Sequence, residues 1–157
     1  MHFPHFSHAQ SLNACNKHLD SLLHSLKYEV DLYEGNFAKK VILDNDTRRF
    51  KTHFREVLAI DTKVDVAGHF GLAIWGCGSP CLNLGFVNLK TGKASIGPYY
   101  SYSVEYLPQS QIIIIDKAES QKHVEIFKWL LPRAYRVDAN GEYKLIYQCK
   151  LDRKRSG

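Results

Sequence analysis

The stretch Gly68-His69-Phe70-Gly71-Leu72-Ala73-Ile74-Trp75-Gly76-Cys77-Gly78-Ser79-Pro80-Cys81-Leu82-Asn83-Leu84-Gly85-Phe86-Val87-Asn88-Leu89 decides the fold class. Two apolar, aromatic-bearing runs, Gly68 to Trp75 and Leu82 to Leu89, flank a short segment dense in glycine, cysteine and proline. Run, break and run read as two strands joined by a tight loop. Glycines at 76 and 78 admit positive φ and Pro80 sets its own backbone, so Trp75 to Cys81 suits a sharp, preorganised loop.

Downstream the strand pattern continues. Lys90-Thr91-Gly92-Lys93 is a turn into Ala94 to Ile96, and Tyr99, Tyr100 and Tyr102 lead to Val104 and Tyr106. Pro108-Gln109-Ser110 turns into the apolar run Gln111 to Asp116. Lys117 to His123 is polar without an apolar period and reads as a loop. Val124 to Leu131 and Ala134 to Val137 then read as extended segments divided by Pro132. Asp138-Ala139-Asn140-Gly141 is a hairpin signal, because Asn-Gly accepts the positive φ of primed turns. Tyr143 to Cys149 forms the last strand.

Upstream the period is helical. Lys17 to Lys27 carries Leu19, Leu22, Leu23 and Leu26 on one face, with Asn13 or Asn16 as cap. Tyr28 to Tyr33 alternates as an extended segment and ends at Gly35-Asn36. A second helix, Thr47 to Ala59, buries Phe50, Phe54, Val57 and Leu58, with Asp44 or Asp46 as N-cap. Two N-terminal helices packed on a mainly antiparallel meander of about six to eight strands make an α+β fold. Residues 10–150 are expected to form its single domain.

With 157 residues, 45% hydrophobic and 24% charged, the chain has the profile of one globular domain. No apolar stretch approaches the ~18 residues of a membrane span. The net charge of +5 is dispersed. Arg48, Arg49, Lys51 and Arg55 fall on a solvated helix face, and residues 151–157 read as a basic flexible tail. The tyrosine run is interleaved with Ser101, Ser103 and Glu105 rather than with cations, which argues against a specific nucleic-acid partner. Residues 1–9 end in Ser7-His8-Ala9, a signal-peptidase-like ending, and read as a signal-peptide remnant or a loose tail.

Four cysteines, at 15, 77, 81 and 149, allow three pairings. In an oxidising compartment Cys77 is expected to pair with Cys81 and Cys15 with Cys149. In a reducing cytosol all four stay thiols.

The region Arg48 to Tyr147 resembles a family of small, mostly uncharacterised exported bacterial proteins. The residues that carry the likeness are the basic helix Thr47 to Leu58, Ala67-Gly68-His69-Phe70, the loop Trp75-Gly76-Cys77-Gly78-Ser79-Pro80-Cys81, the strand and turn Gly85-Phe86-Val87-Asn88-Leu89-Lys90-Thr91-Gly92-Lys93, and a closing hairpin around Tyr135 and Tyr143-Lys144-Leu145-Ile146. The resemblance covers about two thirds of the chain. It implies export to the periplasm or beyond and a β-rich fold, but no reaction. Family members often carry Thr or Ser where Pro80 stands.

The loop residues Trp75, Gly76, Cys77, Gly78, Ser79, Pro80 and Cys81 are the candidate site. They read first as a stapled strand corner, and next as a rigid wedge for a protein or glycan of the cell envelope. The lysozyme inhibitors of the bacterial periplasm offer an analogy, although their disulfide-closed loop holds a histidine that is missing here. A thiol-dependent envelope enzyme or redox protein using Cys77 and Cys81 is a further alternative. Cys-x-x-x-Cys lacks the spacing and helix start that lower a thiol pKa. A toxin-neutralising immunity protein is another. Cys77 and Cys81 have no second Cys or His pair at zinc-site spacing, so no metal is expected. His2, His5 and His8 offer only adventitious metal binding. No paired carboxylates, nucleophile elbow or phosphate loop appears, so neither a catalytic set nor a cofactor is expected.

Overall fold

The computed structural model describes residues 10–151. The Ser7-His8-Ala9 ending and the basic tail beyond Leu151 lie outside them. Among the described residues, three α-helices and seven strands make an α+β fold: α1 (Leu12–Leu23), α2 (Lys51–Ala59), β1 (Phe70–Gly76), β2 (Leu82–Asn88), β3 (Ala94–Tyr100), β4 (Val104–Tyr106), β5 (Ile112–Ile115), α3 (Gln121–Ile126), β6 (Arg133–Val137) and β7 (Tyr143–Gln148). All strand pairings are antiparallel, and the strands divide into a three-stranded sheet, β1-β2-β3, and a four-stranded sheet, β4-β5-β6-β7.

Strand β5 shows how the layers stack. Its four isoleucines are completely buried, which a strand achieves only when both of its faces are covered. Ile112 and Ile114 point to α1, where they meet Cys15, Leu19 and Leu23. Ile113 and Ile115 point the other way, against Phe70, Leu84, Phe86 and Val137. The three-stranded sheet has its own alternation. Leu84 and Phe86 face the second sheet, whereas Ala73, Trp75, Val87 and Leu89 face Phe54 of α2. The order of layers is α1, four-stranded sheet, three-stranded sheet, α2. Gly85 lets α2 settle closely, since a Cβ there would lie 2.6 Å from the Phe54 ring.

The helices start where capping chemistry allows. Ser11 caps α1 by accepting from Ala14 N–H at 3.1 Å, so the helix begins ahead of Asn13 and Asn16. It ends at Leu23. Leu26 falls in a following 3₁₀ turn and is exposed, not part of the buried face. Asp44 accepts from Thr47 N–H at 2.9 Å ahead of the second helical segment, which opens with a 3₁₀ turn, Arg48–Phe50.

Residues 117–131 depart from the sequence expectation. The segment read as loop and then extended chain contains α3, with Ser120 accepting from His123 N–H at 3.1 Å and His123 and Val124 buried. A helix of six residues is too short to display a period, and the Ser120 cap was the local signal for it. In the last hairpin only Gly141 has positive φ; Asn140 donates its N–H to Asp138 Oδ1, forming a longer loop than a primed two-residue turn.

The two sheets separate at Ser101–Ser103. Asp116 Oδ1 accepts from the backbone N–H groups of Ser101, Tyr102 and Ser103 at 3.0, 2.7 and 3.3 Å. Its Oδ2 faces Arg133 Nη1 at 3.4 Å. Arg133 also donates to the carbonyls of Tyr99 and Leu131 and to the Tyr135 hydroxyl. Replacing Asp116 with Ala would leave a buried guanidinium without its counter-charge and three amides without their acceptor. We expect a loss of about 3–5 kcal/mol in urea denaturation; a loss below about 1 kcal/mol would remove this cluster from the account.

Candidate functional site

The register Trp75↔Asn83 and Gly76↔Leu82 carries β1 and β2 to the very edge of the cysteine loop. Cys77 and Cys81 are joined by a disulfide with a Cα–Cα distance of 5.1 Å. Cys77 N–H donates to the Cys81 carbonyl at 3.1 Å, and Gly78 turns the chain at φ +109°. Ser79–Pro80 is a cis peptide. Residues Gly76 through Pro80 are exposed, and Cys81 is half-buried. The loop is therefore a covalently closed hairpin tip that points into solvent.

Trp75 stands apart from the other loop residues. It is buried under the loop, stacked on His53 at 5.2 Å and packed against Phe50 and the edge of Phe54. Its indole Nε1 is buried without an acceptor among the described residues. Its place is in the core between β1 and α2, from which it supports the tip.

The second disulfide, Cys15–Cys149, spans 134 positions at a Cα–Cα distance of 5.7 Å. By the loop-entropy model, closing so long a segment contributes about 5 kcal/mol, against about 2 kcal/mol for the short loop. The long link ties α1 to the end of β7; the short one shapes a surface. All four cysteines are oxidised, so thiol chemistry at Cys77 or Cys81 would require prior reduction.

The loop is one wall of a groove. Pro80 lines a depression of about 600 Å³ together with Tyr99, Trp129, Leu131, Arg133 and Tyr135. Tyr99 is 62% exposed, Trp129 46% and Leu131 45%, a concentration of uncovered apolar surface beside the stapled tip. The Arg133 guanidinium lies 5.8 Å from the ring centres of both Tyr99 and Tyr135. Among the tyrosines named from sequence, Tyr99 faces this groove and Tyr100 points into the core. Tyr102 packs edge-on against His123.

Sequence reasoning missed Trp129, Leu131 and Arg133. The signal was present: Leu130 is fully buried between two exposed apolar neighbours, an alternation obscured by reading Val124 to Leu131 as one uniform segment. His69, the histidine nearest the loop in sequence, is buried and hydrogen-bonds the Ala139 carbonyl at 3.0 Å. Among the described residues no three His, Cys, Asp or Glu side chains are grouped to hold a metal ion, and no helix is long and apolar enough to cross a membrane.

The chain matches no known protein-family model, no curated protein and no solved structure.

The carboxyl of Asp65 has a pKa raised above the usual carboxylate value. Burial raises it, outweighing the Leu72 N–H that donates to it at 2.8 Å and the nearby Lys63 charge. An acid with a raised folded pKa binds its proton more tightly when folded. Its contribution to stability is greatest below the unfolded value and falls as pH rises through the folded one. Asp65→Asn, which keeps an acceptor for Leu72, should therefore raise the denaturation midpoint at neutral pH. That gain should shrink toward acid pH, as denaturant titrations at the two pH values would show. A gain that is independent of pH would refute the titration.

Proposed function

We propose that the protein is an exported, non-enzymatic binding module of the bacterial cell envelope, contacting a protein or glycan through the stapled loop and the groove beside it. The observation that carries this reading is that Pro80, on a covalently closed and exposed loop, walls a groove lined by the exposed rings of Tyr99 and Trp129. Preorganisation supports binding because little loop entropy remains to be lost on contact. Uncovered aromatic side chains gathered beside a rigid element supply the kind of contact area that binding surfaces use. Two disulfides agree with an oxidising compartment.

Gly76 adds an independent hint. Its φ is not positive, and a Cβ there would meet nothing within 4 Å. The fold does not require glycine at this strand end, whereas a partner approaching the backbone closely would. Gly76→Val should therefore shift the melting temperature by no more than about 2 °C. Immobilised wild-type protein, incubated with solubilised envelope fractions and a glycan array, should retain a partner that Gly76→Val binds roughly tenfold more weakly. Equal retention by both forms would take the loop out of the function.

A further inference from the structure

The chemistry of the groove narrows the choice of partner. Among the described residues that line it, the only charged side chains are Arg133 and Asp116, and these face each other at 3.4 Å, so that lining carries no net charge to attract an ion. Two aromatic rings and Leu131 supply flat apolar surface. The other polar groups of the lining are uncharged: the hydroxyls of Tyr99 and Tyr135, the Trp129 indole N–H, the exposed Gln148 amide and the half-buried Ser101. The Tyr135 oxygen accepts from Arg133 Nε at 3.1 Å, which leaves its own O–H to donate. Arg133 is 8% exposed, and four of its five N–H groups are engaged. Nη2 carries a second N–H besides the one it donates to the Tyr99 carbonyl at 3.1 Å.

A pyranose ring combines a face of C–H groups with a rim of neutral hydroxyls that both donate and accept. Apolar walls with a small number of placed polar groups are the general make-up of small-molecule sites, and the volume is in their range. We propose that the groove between Pro80, Tyr99 and Trp129 binds a neutral sugar chain, with ring faces on the two aromatic side chains and hydroxyls toward Arg133, Tyr135 and Gln148. The inference rests on the reading of the loop face as a binding surface and commits it to one ligand class. A polyanionic glycan gains nothing from a cation already paired with Asp116. A protein partner gains apolar contact but has no ring of neutral hydroxyls to set against the Tyr135 hydroxyl and the Gln148 amide.

Calorimetric titration of the full chain tests this. The probes are cellotetraose, maltotetraose and chitotetraose as neutral chains, an oligogalacturonide as the anionic chain, and a proline-rich decapeptide. At least one neutral tetrasaccharide should bind, and more tightly than the anionic chain or the peptide. Tyr99→Ala and Trp129→Ala should each weaken that binding roughly tenfold, while Trp129→Phe keeps most of it. Both side chains are exposed, so circular dichroism should show the variants folded. The chain has two tryptophans, and Trp75 is buried, so a ligand-induced fluorescence change that vanishes in Trp129→Phe would place the sugar at the groove. Absence of binding by every neutral chain overturns the sugar assignment, as does tighter binding of the anion or peptide, or unaltered affinity in Trp129→Ala. If sugars fail but Gly76-dependent capture of an envelope partner persists, the binding-module reading survives without this ligand; if both fail, neither stands.

Discussion

Asp116 and Arg133 are both buried, and their side chains meet at the point where the chain passes from one sheet to the other. Asp116 follows β5 with φ +56°, a left-handed conformation uncommon outside glycine, which the surrounding hydrogen bonds hold in place. From there its carboxylate collects the three amides of the link between β3 and β4. Arg133 reaches back to the Tyr99 carbonyl at 3.1 Å and so connects β6 to the far end of the other sheet. A buried ion pair is weak as a source of stability unless its remaining lone pairs and protons are satisfied. Here nearly all of them are, and the cluster sets the relative position of the two sheets. It also sets the groove, because Tyr99, Leu131 and Tyr135 are all its direct partners.

The two disulfides act on different levels of the same architecture. Cys15–Cys149 joins the first helix to the last strand and restrains mainly the unfolded chain. Cys77–Cys81 restrains little of the unfolded chain and instead fixes the shape of a tip beyond the core. Trp75 connects that tip to the interior, packed among Phe50, His53 and Phe54 of the second helical segment. A loop supported in this way presents a fixed surface, which suits recognition better than chemistry that needs a mobile thiol.

Local pattern made much of this readable. The strands on either side of the loop, the Ile112–Ile115 strand and the buried stripe of Phe54 followed from alternation and helical spacing. Short elements did not. α3 depends on a single serine cap and on contacts of His123 with Tyr102 and Phe127, which are distant or aromatic and leave no period. The division of one expected meander into two sheets was equally hidden, since it depends on a carboxylate thirteen to fifteen positions downstream of the amides it binds. For the site, the loop was legible because glycine, proline and cysteine carry conformational meaning by themselves. The groove was not, because Pro80, Tyr99, Trp129 and Arg133 come together only through the tertiary fold.

The central claim is that the tip is an oxidised, closed surface and not a pair of working thiols. Mass-spectrometric peptide mapping of unreduced protein, alkylated as it is taken from its native compartment, tests this most directly. The account expects Cys77 linked to Cys81 and Cys15 linked to Cys149, with no alkylated cysteine. Recovery of Cys77 and Cys81 as alkylated thiols, or crossed pairings with Cys15 and Cys149, would contradict it.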